Sequence, residues 1–450
     1  MPVRDMAIIG AGYVGLVAGA CYAELGNRVV CVDSDEEKIA RLRRGEVPIY
    51  EPDLPQLIAR NAEAGRLAFA AAAGPAVEKA DIVVIAVGTP PLPSGEADLR
   101  SIEKTAREIG ASMNGYKIVC IKSTVPVGTA EKVERWIAER YAGGFDVVSL
   151  PEFLREGSAV ADALRPDRIV IGTSSERAAA ELAALHEPLA APLCVTDARS
   201  AEMTKYASNA FLATKITFIN EIANLCEKVG ADVAEVARGM GLDRRIGSSF
   251  LRAGIGYGGS CFPKDTNALV QLAGSVEYDF RLLKAVIEVN REQRLVVVDK
   301  LQNALGSLRG RRIGIWGLSF KPNTDDVREA PALAIAERLA ELGAELRLYD
   351  PAAQRRFREV FDHPFAVWCE SALEAARGSD ALCLLTEWPA FADIPLAEIR
   401  AALDRPLLID GRNLFDPREA RLAGLEYVPV GRPVPELPAA RLPAMEPPSA

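Results

Sequence analysis

Histidine is scarce in this chain of 450 residues, which contains only His186 and His363. His186 lies in an alanine-rich stretch with helical spacing, and His363 lies in a segment typical of a loop. Histidine is the most frequent general base and metal ligand in proteins, and neither neighbourhood looks catalytic. We therefore expect no metal site, and we expect lysine, aspartate, glutamate and cysteine to supply the acids, bases and nucleophiles.

Long apolar runs, basic blocks and paired cysteines are lacking as well. No run approaches the roughly 20 apolar residues of a membrane helix, and no block of Lys or Arg indicates a nucleic-acid surface in a chain of formal net charge -9. The eight cysteines are scattered without a C-x-x-C pair, which is typical of reduced thiols in the cytoplasm. The N-terminus enters a strand pattern without a signal-peptide cleavage site. We expect a cytoplasmic protein with no membrane or nucleic-acid partner.

Short β-branched runs alternate with amphipathic stretches in the first part of the chain and again from about Arg311. The runs are apolar enough to be buried on both faces, as in a parallel sheet; they cover residues 5–10, 28–33, 80–90, 116–124, 145–152, 311–320, 346–351, 381–387 and 406–411. Between the two parts, residues 200–230 have the spacing of one long helix that ends at a glycine. The pattern predicts an α/β fold of two Rossmann-like doubly wound parallel-sheet domains, joined by a helical middle with one long central helix. The predicted segments are 1–199, 200–300, 301–430 and a proline-rich tail, 431–450, typical of disorder.

A dinucleotide signature stands at the start of the chain. Gly10-Ala-Gly-Tyr-Val-Gly15 follows a strand and opens a helix, the context in which such a turn binds a pyrophosphate at a helix N-terminus. Asp33 ends the second strand, where a carboxylate binds ribose hydroxyls and repels a 2′-phosphate, so NAD is favoured over NADP. Lys38, one turn further, is a candidate for the same ribose or a phosphate.

Two further strand ends carry hydroxyl side chains, Val87–Pro90 with Thr89 and Lys122–Thr129 with Thr124. Ligands bind at such strand ends in open α/β sheets, so these residues are candidate nicotinamide or substrate contacts. Taken alone, each could equally be a capped loop.

Cys261 lies in the glycine-rich stretch 254–265, which ends in Lys264 and Asp265. Glycines allow the backbone to approach a ligand and leave the thiol accessible, and a nearby cation lowers the pKa of a thiol. Three other cysteines, Cys31, Cys120 and Cys383, fall in apolar strands, where a structural role is favoured. Cys261 is therefore the candidate nucleophile.

Two pairs of polar residues are further candidates. Lys205 and Asn209, at i and i+4, share one face of the long helix, and either they have buried partners or that face is solvated. Glu152 and Glu156 follow another strand, and they are candidates for the site or ordinary acids at a helix N-terminus.

Together these strings resemble the UDP-glucose/GDP-mannose dehydrogenase family, and within it most closely the bacterial members that act on UDP-glucose. The resemblance covers nearly the whole chain except the tail, and its strings are GAGYVG, IYEP (49–52), VGTP, KSTVPVGT, PEFLREGSAV, EMTKYASNAFLATKITFINE, GYGGSCFPKD, GLSFKPNTDDVREAP (317–331) and DGRNLFDP (410–417). Leu150 departs from it, since the family usually has Asn before the Pro of PEFL.

The resemblance implies a four-electron oxidation of a nucleotide-sugar with two NAD. The C6 alcohol becomes an aldehyde, Cys261 traps it as a thiohemiacetal, and a thioester is then hydrolysed to the acid. Lys205 and Asn209 would stabilise the oxyanions, while Thr124, Glu152 and Asp265 would position water or carry protons.

Binding residues are implied position by position. The NAD contacts are Gly10, Gly12, Tyr13, Val14, Gly15, Asp33, Lys38, Thr89, Thr124, Glu156, Lys264 and Arg328. The nucleotide-sugar contacts are Glu152, Phe153, Leu154, Lys205, Asn209, Phe250, Leu251, Arg252, Ala253, Gly254, Gly258, Lys321 and Arg412. Arg245 would reach the substrate of a neighbouring subunit, which implies a homodimer or a higher homo-oligomer. The resemblance further assigns NAD to the first domain, dimerisation to the middle, and the nucleotide diphosphate to the second sheet domain.

Three alternatives stay open. The substrate could be GDP-mannose or an N-acetylated UDP-sugar, because pocket shape decides this choice. The enzyme could be a two-electron dehydrogenase of the β-hydroxyacid type, in which Lys205 and Asn209 suffice. The chain could also be a non-catalytic NAD-binding sensor.

Overall fold

The fold is described from a computed structural model, which covers residues 3–434; most of the predicted proline-rich tail, residues 435–450, lies outside the described residues. The chain forms two compact units. Met1–Ala213 and Ser260–Ile287 form the first unit, and Thr214–Gly259 and Glu288–Ala450 form the second. The predicted domain limits stay a prediction.

The first unit contains an eight-stranded sheet built on continuous apolar runs. Its strands are β1 (Asp5–Ile9), β2 (Arg28–Val32), β3 (Leu67–Ala70), β4 (Ile82–Ile85), β5 (Ile118–Ile121), β6 (Asp146–Ser149), β7 (Ile169–Gly172) and β8 (Leu193–Thr196). Their order is β3-β2-β1-β4-β5-β6-β7-β8. All neighbours pair in parallel except β6 and β7, which meet antiparallel at Ser149 and Gly172.

Helices cover both faces of this sheet because its central strands are buried on both sides. They are α1 (Tyr13–Glu24), α2 (Glu36–Arg43), α3 (Leu54–Glu63), α4 (Gly74–Lys79), α5 (Arg100–Ser112), α6 (Thr129–Ala138), α7 (Ala159–Leu164) and α8 (Glu176–His186), followed by a 3₁₀ turn, Glu187–Leu189. One apolar layer is centred on α1 and the other on α5 and α6. Leu150 packs in the first layer, so the residue that departs from the family pattern is an ordinary core residue.

The middle of the chain is helical. It comprises α9 (Ala198–Val229), α10 (Val233–Gly241), α11 (Phe262–Ser275), α12 (Arg281–Gln293) and α13 (Val296–Leu305). The 32-residue helix α9 agrees with the predicted long helix to within two residues. Its residues up to Ala213 belong to the first unit and the rest to the second.

The second unit contains a six-stranded, all-parallel sheet. Its strands are β9 (Arg312–Trp316), β10 (Glu345–Tyr349), β11 (Ala366–Trp368), β12 (Ala381–Leu384), β13 (Leu407–Asp410) and β14 (Glu426–Pro429). Its helices are α14 (Pro331–Glu341), α15 (Gln354–Val360), α16 (Ala372–Ala376), α17 (Pro389–Ala392), α18 (Leu396–Ala402) and α19 (Pro417–Leu422). The order β11-β10-β9-β12-β13-β14 repeats that of β3 to β6 in the first sheet.

Both sheets thus have the 3-2-1-4-5-6 order of a doubly wound fold, in which ligands bind at the carboxyl ends of the strands. The predicted fold class is confirmed. Within residues 3–434, no helix is long and apolar enough to cross a membrane.

Candidate active site

The turn between β1 and α1 has the shape of a dinucleotide cradle. Gly10 has a positive φ of 103°, and a Cβ there would lie 2.7 Å from the carbonyl oxygen of Ala86. A Cβ on Gly15 would lie 1.7 Å from the carbonyl oxygen of Gly10, so both positions require glycine. A Cβ on Gly12 would have no atom within 4 Å, which leaves open space beside the backbone. Tyr13 and Val14 begin α1, whose N-terminal N–H groups suit a pyrophosphate.

Asp33 lies where a ribose would be bound. Its carboxylate accepts hydrogen bonds from Ala11 N (3.0 Å) and Lys38 Nζ (2.8 Å). Burial opposes the charge, but the bonds from Lys38 and the backbone outweigh it, and the pKa of Asp33 is lowered. A charged carboxylate at this strand end suits a ribose diol and repels a 2′-phosphate. The residues present therefore fit NAD.

The two predicted strand-end loops lie side by side in the first unit. Thr89 Oγ1 donates to the carbonyl oxygen of Thr124 at 2.8 Å, and Ser123 Oγ donates to that of Val87 at 2.7 Å. These bonds hold the ends of β4 and β5 together at the edge where α/β sheets bind ligands.

Cys261 occupies the N-cap position of α11 and is partly exposed. Its Sγ lies 3.6 Å from Ser260 Oγ, which donates to Glu156 Oε1 at 3.0 Å. Burial and the charge of Glu152 raise the pKa of the thiol, while Lys205 acts in the opposite direction. The expected lowering of this pKa is therefore not found, and the thiol is protonated in the resting site.

Lys205 and Glu152 form a buried ion pair with Nζ and Oε1 2.9 Å apart and both side chains at most 6% exposed. Leu154 N donates to the second oxygen of Glu152 at 2.5 Å, and the ring of Phe153 lies 5.4 Å from Lys205 Nζ. Burial opposes both charges, but mutual attraction prevails: the pKa of Lys205 is raised and that of Glu152 is lowered. The pair therefore stays charged.

Asn209 and Lys264 share one carboxylate. Asn209 Nδ2 donates to Asp265 Oδ2 at 2.6 Å, and Lys264 Nζ donates to Asp265 Oδ1 at 2.5 Å. Lys264, which neighbours the thiol in sequence, thus pairs with Asp265, while Lys205 is the cation that partly offsets the rise of the thiol pKa. Because Lys205 and Asn209 are 3% and 6% exposed, the solvated-face alternative is wrong.

A buried carboxylate that the sequence analysis missed holds the start of α6. Glu202, one turn before Lys205 on α9, accepts hydrogen bonds from Gly128 N (2.6 Å) and Ala130 N (2.8 Å). The sequence feature that could have identified Glu202 is an acidic residue on the apolar face of a predicted helix. Glu51, in the IYEP string, is a second such carboxylate and is bonded to Tyr13 and to the backbone of residues 157 and 159.

The predicted nucleotide-sugar loop, residues 250–259, lies in the second unit and is tightly constrained. Phe250 has a φ of 63°, which is rare for a residue with a side chain. A Cβ on Gly254 would lie 2.9 Å from the carbonyl oxygen of Gly411, and one on Gly258 would lie 2.2 Å from that of Glu329. Such strain persists only where the surroundings impose it, and it is frequent at ligand sites.

Three side-chain amides, also missed from the sequence, fix this loop. Asn220 Oδ1 accepts from Gly254 N at 2.8 Å, and Gln293 Nε2 donates to the Gly254 carbonyl oxygen at 2.7 Å. Asn290 bonds both the N–H and the carbonyl oxygen of Tyr257. The loop backbone is therefore preorganised.

Arg412 organises the same region of the second unit. Its guanidinium donates to the carbonyl oxygens of Leu385 and Gly256 at 2.9 Å each, and to that of Phe320 at 3.4 Å. Lys321 Nζ lies 5.5 Å from the centre of the Phe320 ring.

Other predicted binding residues of the second unit surround a cavity or pair locally. Leu251, Arg252 and Ala253 line a cavity of about 320 Å³ with Asn413 and Arg432. Arg328 pairs with Asp326 and Arg245 with Asp243, each at 2.6 Å.

No group of three histidine, cysteine or acidic side chains that could hold a metal ion occurs in the part of the chain from residue 3 to residue 434. The locations predicted for His186 and for Cys31, Cys120 and Cys383 agree with the structure. His186 is buried and bonded at both ring nitrogens, and burial lowers its pKa to about 4. Cys31, Cys120 and Cys383 are buried.

A glycine turn fitted to NAD, in a doubly wound unit that also holds a thiol, a buried lysine and two carboxylates, defines an NAD-linked dehydrogenase. The sequence matches all three models of one family: the NAD binding domain (residues 4–190), the central domain (199–292) and the UDP binding domain (314–417). The chain belongs to the UDP-glucose/GDP-mannose dehydrogenase family. The predicted family, enzyme class and NAD cofactor are confirmed.

Relatives with assigned activities align over almost the whole chain. UDP-glucose 6-dehydrogenase TuaD of Bacillus subtilis is 51% identical over 433 residues, covering 96% of this chain and 94% of that protein. The structure of a UDP-glucose dehydrogenase from the archaeon Pyrobaculum islandicum is 41% identical with a TM-score of 0.89, covering 96% of this chain and 98% of that one. A UDP-D-ManNAc dehydrogenase structure from Pyrococcus horikoshii is 27% identical with a TM-score of 0.82, covering 95% and 99%.

Proposed function

We propose that this chain is a UDP-glucose 6-dehydrogenase, which oxidises the C6 alcohol of UDP-glucose to the carboxylate of UDP-glucuronate. The observation that carries the proposal is the set of buried groups around one partly exposed thiol, Cys261: the Lys205–Glu152 ion pair and the Asn209–Asp265 hydrogen bond. The activity of relatives about half identical over nearly the full length supports UDP-glucose as the substrate.

The first unit holds the cofactor. Gly10, Gly12 and Gly15 would face the pyrophosphate, Asp33 and Lys38 would bind the adenosine ribose, and Thr89 and Thr124 lie at the adjoining strand ends. The resemblance adds Glu156 and Lys264 of this unit, and it also names Arg328, which lies in the second unit. When bound, NAD supplies the electron acceptor for each of the two oxidations.

Lys205 serves as the oxyanion-stabilising cation. Its raised pKa keeps the amine protonated, so it cannot be the base that removes the alcohol proton. The Glu152 carboxylate, 2.9 Å from Lys205 Nζ, is charged and can receive that proton through a water held with Thr124. Asn209, oriented by Asp265, adds a second donor for the oxyanion.

Cys261 then attacks the aldehyde carbon: the S–C bond forms as the carbonyl π bond breaks, and the thiol proton ends on the former carbonyl oxygen of the thiohemiacetal. The covalent bond keeps the reactive aldehyde in place and prepares it for the second oxidation to a thioester. Water, positioned by Asp265 or Glu152, finally hydrolyses the thioester and regenerates the thiol.

The test is the yield of NADH per UDP-glucose when the sugar is limiting, for the wild type, Cys261→Ser and Cys194→Ser. Cys194 is exposed in the same unit and serves as the control. We expect a yield near two for the wild type and the control, and loss of turnover for Cys261→Ser. A yield near one with an unaffected Cys261→Ser would instead identify a simple two-electron dehydrogenase.

The identity of the nucleotide-sugar substrate is tested in the same assay. GDP-mannose and N-acetylated UDP-sugars are the competing substrates, the latter because the Pyrococcus horikoshii protein shares the fold. Turnover of one of these without turnover of UDP-glucose would keep the mechanism and change the substrate. NAD binding without turnover of any of them would indicate the sensor alternative.

The assembly we propose is a homodimer or higher homo-oligomer in the cytoplasm. Phe211, Phe218 and Leu225 recur every seven residues along α9 and are at least half exposed, and Val229 follows. An exposed apolar stripe of this kind marks an association surface. The side chain of Arg245 is largely exposed, and the resemblance implies that it reaches a partner's substrate.

A further inference from the structure

We propose that Glu51 is a positioning residue that couples the cofactor turn to the loop carrying Glu152 and Glu156, and through it to Cys261. The proposal rests on the proposed function only in taking Cys261 as the nucleophile. All the groups involved lie in the first unit.

Glu51 is 4% exposed and joins two segments that are far apart in sequence. One carboxylate oxygen accepts from the hydroxyl of Tyr13, the first residue of α1 after the glycine turn, and from Gly157 N at 2.6 Å. The other oxygen accepts from Ala159 N at 2.7 Å. One buried side chain thus fixes both the start of the cofactor helix and the end of the PEFLREG loop.

Polar contacts at both ends of the loop connect it to the surroundings of the thiol. Glu156, next to Gly157, accepts a hydrogen bond from Ser260 Oγ at 3.0 Å, and Ser260 precedes Cys261. Glu152, at the other end of the loop, pairs with Lys205. A shift of Gly157 would therefore move both the Cys261 loop and the carboxylate that acts on the thiol.

The chemistry of the three donors demands a carboxylate. Both oxygens of Glu51 accept hydrogen bonds, and every partner is an N–H or O–H donor. In Glu51→Gln the amide NH₂ would face either Ala159 N–H, which would be left buried without an acceptor, or Gly157 N–H, which would keep only the Tyr13 hydroxyl as an acceptor at 3.2 Å. Glu51→Gln preserves size and should loosen the loop without opening a cavity.

The experiment compares Glu51→Gln and Tyr13→Phe with a matched control, Tyr116→Phe. Tyr116 also donates to a carboxylate of the first unit, the half-buried Asp146. This pair lies at the amino end of β6, away from the strand ends that form the site. Four quantities are measured: kcat, KM, the affinity for NAD, and the rate at which iodoacetamide modifies Cys261 in protein free of NAD. Cys194, which is exposed, is the internal reference for alkylation.

We expect Glu51→Gln to lower kcat about ten- to a hundredfold, as misplacement of reacting groups does, to weaken NAD binding, and to raise the Cys261 alkylation rate several-fold. Tyr13→Phe should change the same quantities less, and Tyr116→Phe should change only the melting temperature. An unchanged alkylation rate in both site variants, or an equal change in Tyr116→Phe, would overturn the proposal. If the wild type fails to oxidise UDP-glucose, the proposed function fails, while thiol reactivity and NAD affinity still decide the role of Glu51.

Discussion

At the scale of single residues, the reactivity of Cys261 depends on two neighbours of opposite charge. Burial raises the thiol pKa most; of the charged neighbours, Glu152 and then Asp265 raise it further, and Lys205 acts to lower it. Because Glu152 and Lys205 also pair with each other, changing either one alters the field at the sulfur and leaves a buried charge unpaired.

We predict opposite shifts of the thiol pKa in two variants. Lys205→Met removes the favourable cation, so Cys261 should be alkylated about three- to tenfold more slowly at pH 8. Glu152→Gln removes the unfavourable anion, so alkylation should be faster by a similar factor. The measurement is the modification rate of the Cys261 peptide between pH 6 and pH 10.

The double variant Lys205→Met with Glu152→Gln is the control, because it removes both charges and leaves neither unpaired. Its thiol should titrate between those of the single variants. Shifts of the same sign in both single variants would show that loosened packing, not charge, governs the sulfur.

The identities of the candidate functional residues were predictable from the sequence. Their pairing was not. The sequence pointed to Lys264 as the cation beside the thiol because the two are close in the chain, whereas α9 brings Lys205 there from 56 residues away in sequence. Glu51 and Glu202 were not predicted for the same reason, because their partners are backbone N–H groups of segments that are distant in sequence.

At the scale of elements, Glu202 controls the attachment of α6 to α9. Burial raises the pKa of Glu202 to about 7, although two backbone N–H bonds oppose this. In the unfolded chain the carboxyl has its ordinary pKa of about 4.5. Between these values the folded state binds the proton more tightly, so this residue's contribution to stability is complete below about pH 4.5 and is lost as the pH rises to about 7.

We predict that Glu202→Gln removes this pH dependence. The wild type should lose on the order of 1–3 kcal/mol between pH 5 and pH 8 relative to the variant, because a charge must be held in a buried place. Urea unfolding of both proteins at several pH values is the measurement. Glu176→Gln, in the exposed first turn of α8, should show the wild-type profile. Parallel profiles for the wild type and Glu202→Gln would contradict the prediction.

Most strands that are buried on both faces were predictable from their apolar runs, although β7, which is buried throughout, was not among the predicted strands. The central strands β1, β4 and β5 are buried on both faces and were recognised for that reason. The edge strands β3 and β11 have only four and three residues, and β8 is mostly exposed. Their conformation comes from pairing with a neighbouring strand, which no local pattern records.

At the scale of the whole molecule, the apolar stripe of α9 predicts association. Phe218→Glu should place a charge in the contact and halve the mass in solution, with loss of activity if Arg245 serves a partner's site. Leu422→Glu, at a similarly exposed position on α19, should keep the wild-type mass. The molar mass of each protein is measured by light scattering after gel filtration. A monomeric wild type would exclude the proposed dimer.

The second sheet has the same strand order as the first, but the acidic residue that follows its second strand has different partners. Asp350, after β10, stands where Asp33 stands after β2, but it is buried and its oxygens accept from Leu318 N, Ser319 N, Ala352 N and Trp388 Nε1. The Asp350 carboxylate therefore has no acceptor left for a ribose diol, so we expect one dinucleotide-binding site per chain. Under the proposed function, two NAD molecules would therefore bind one after the other, and the half-oxidised sugar would have to stay bound while NADH is exchanged for NAD. In the proposed mechanism the covalent bond to Cys261 retains the half-oxidised sugar during this exchange, so the lifetime of that bond sets an upper limit on the time that NAD can take to replace NADH.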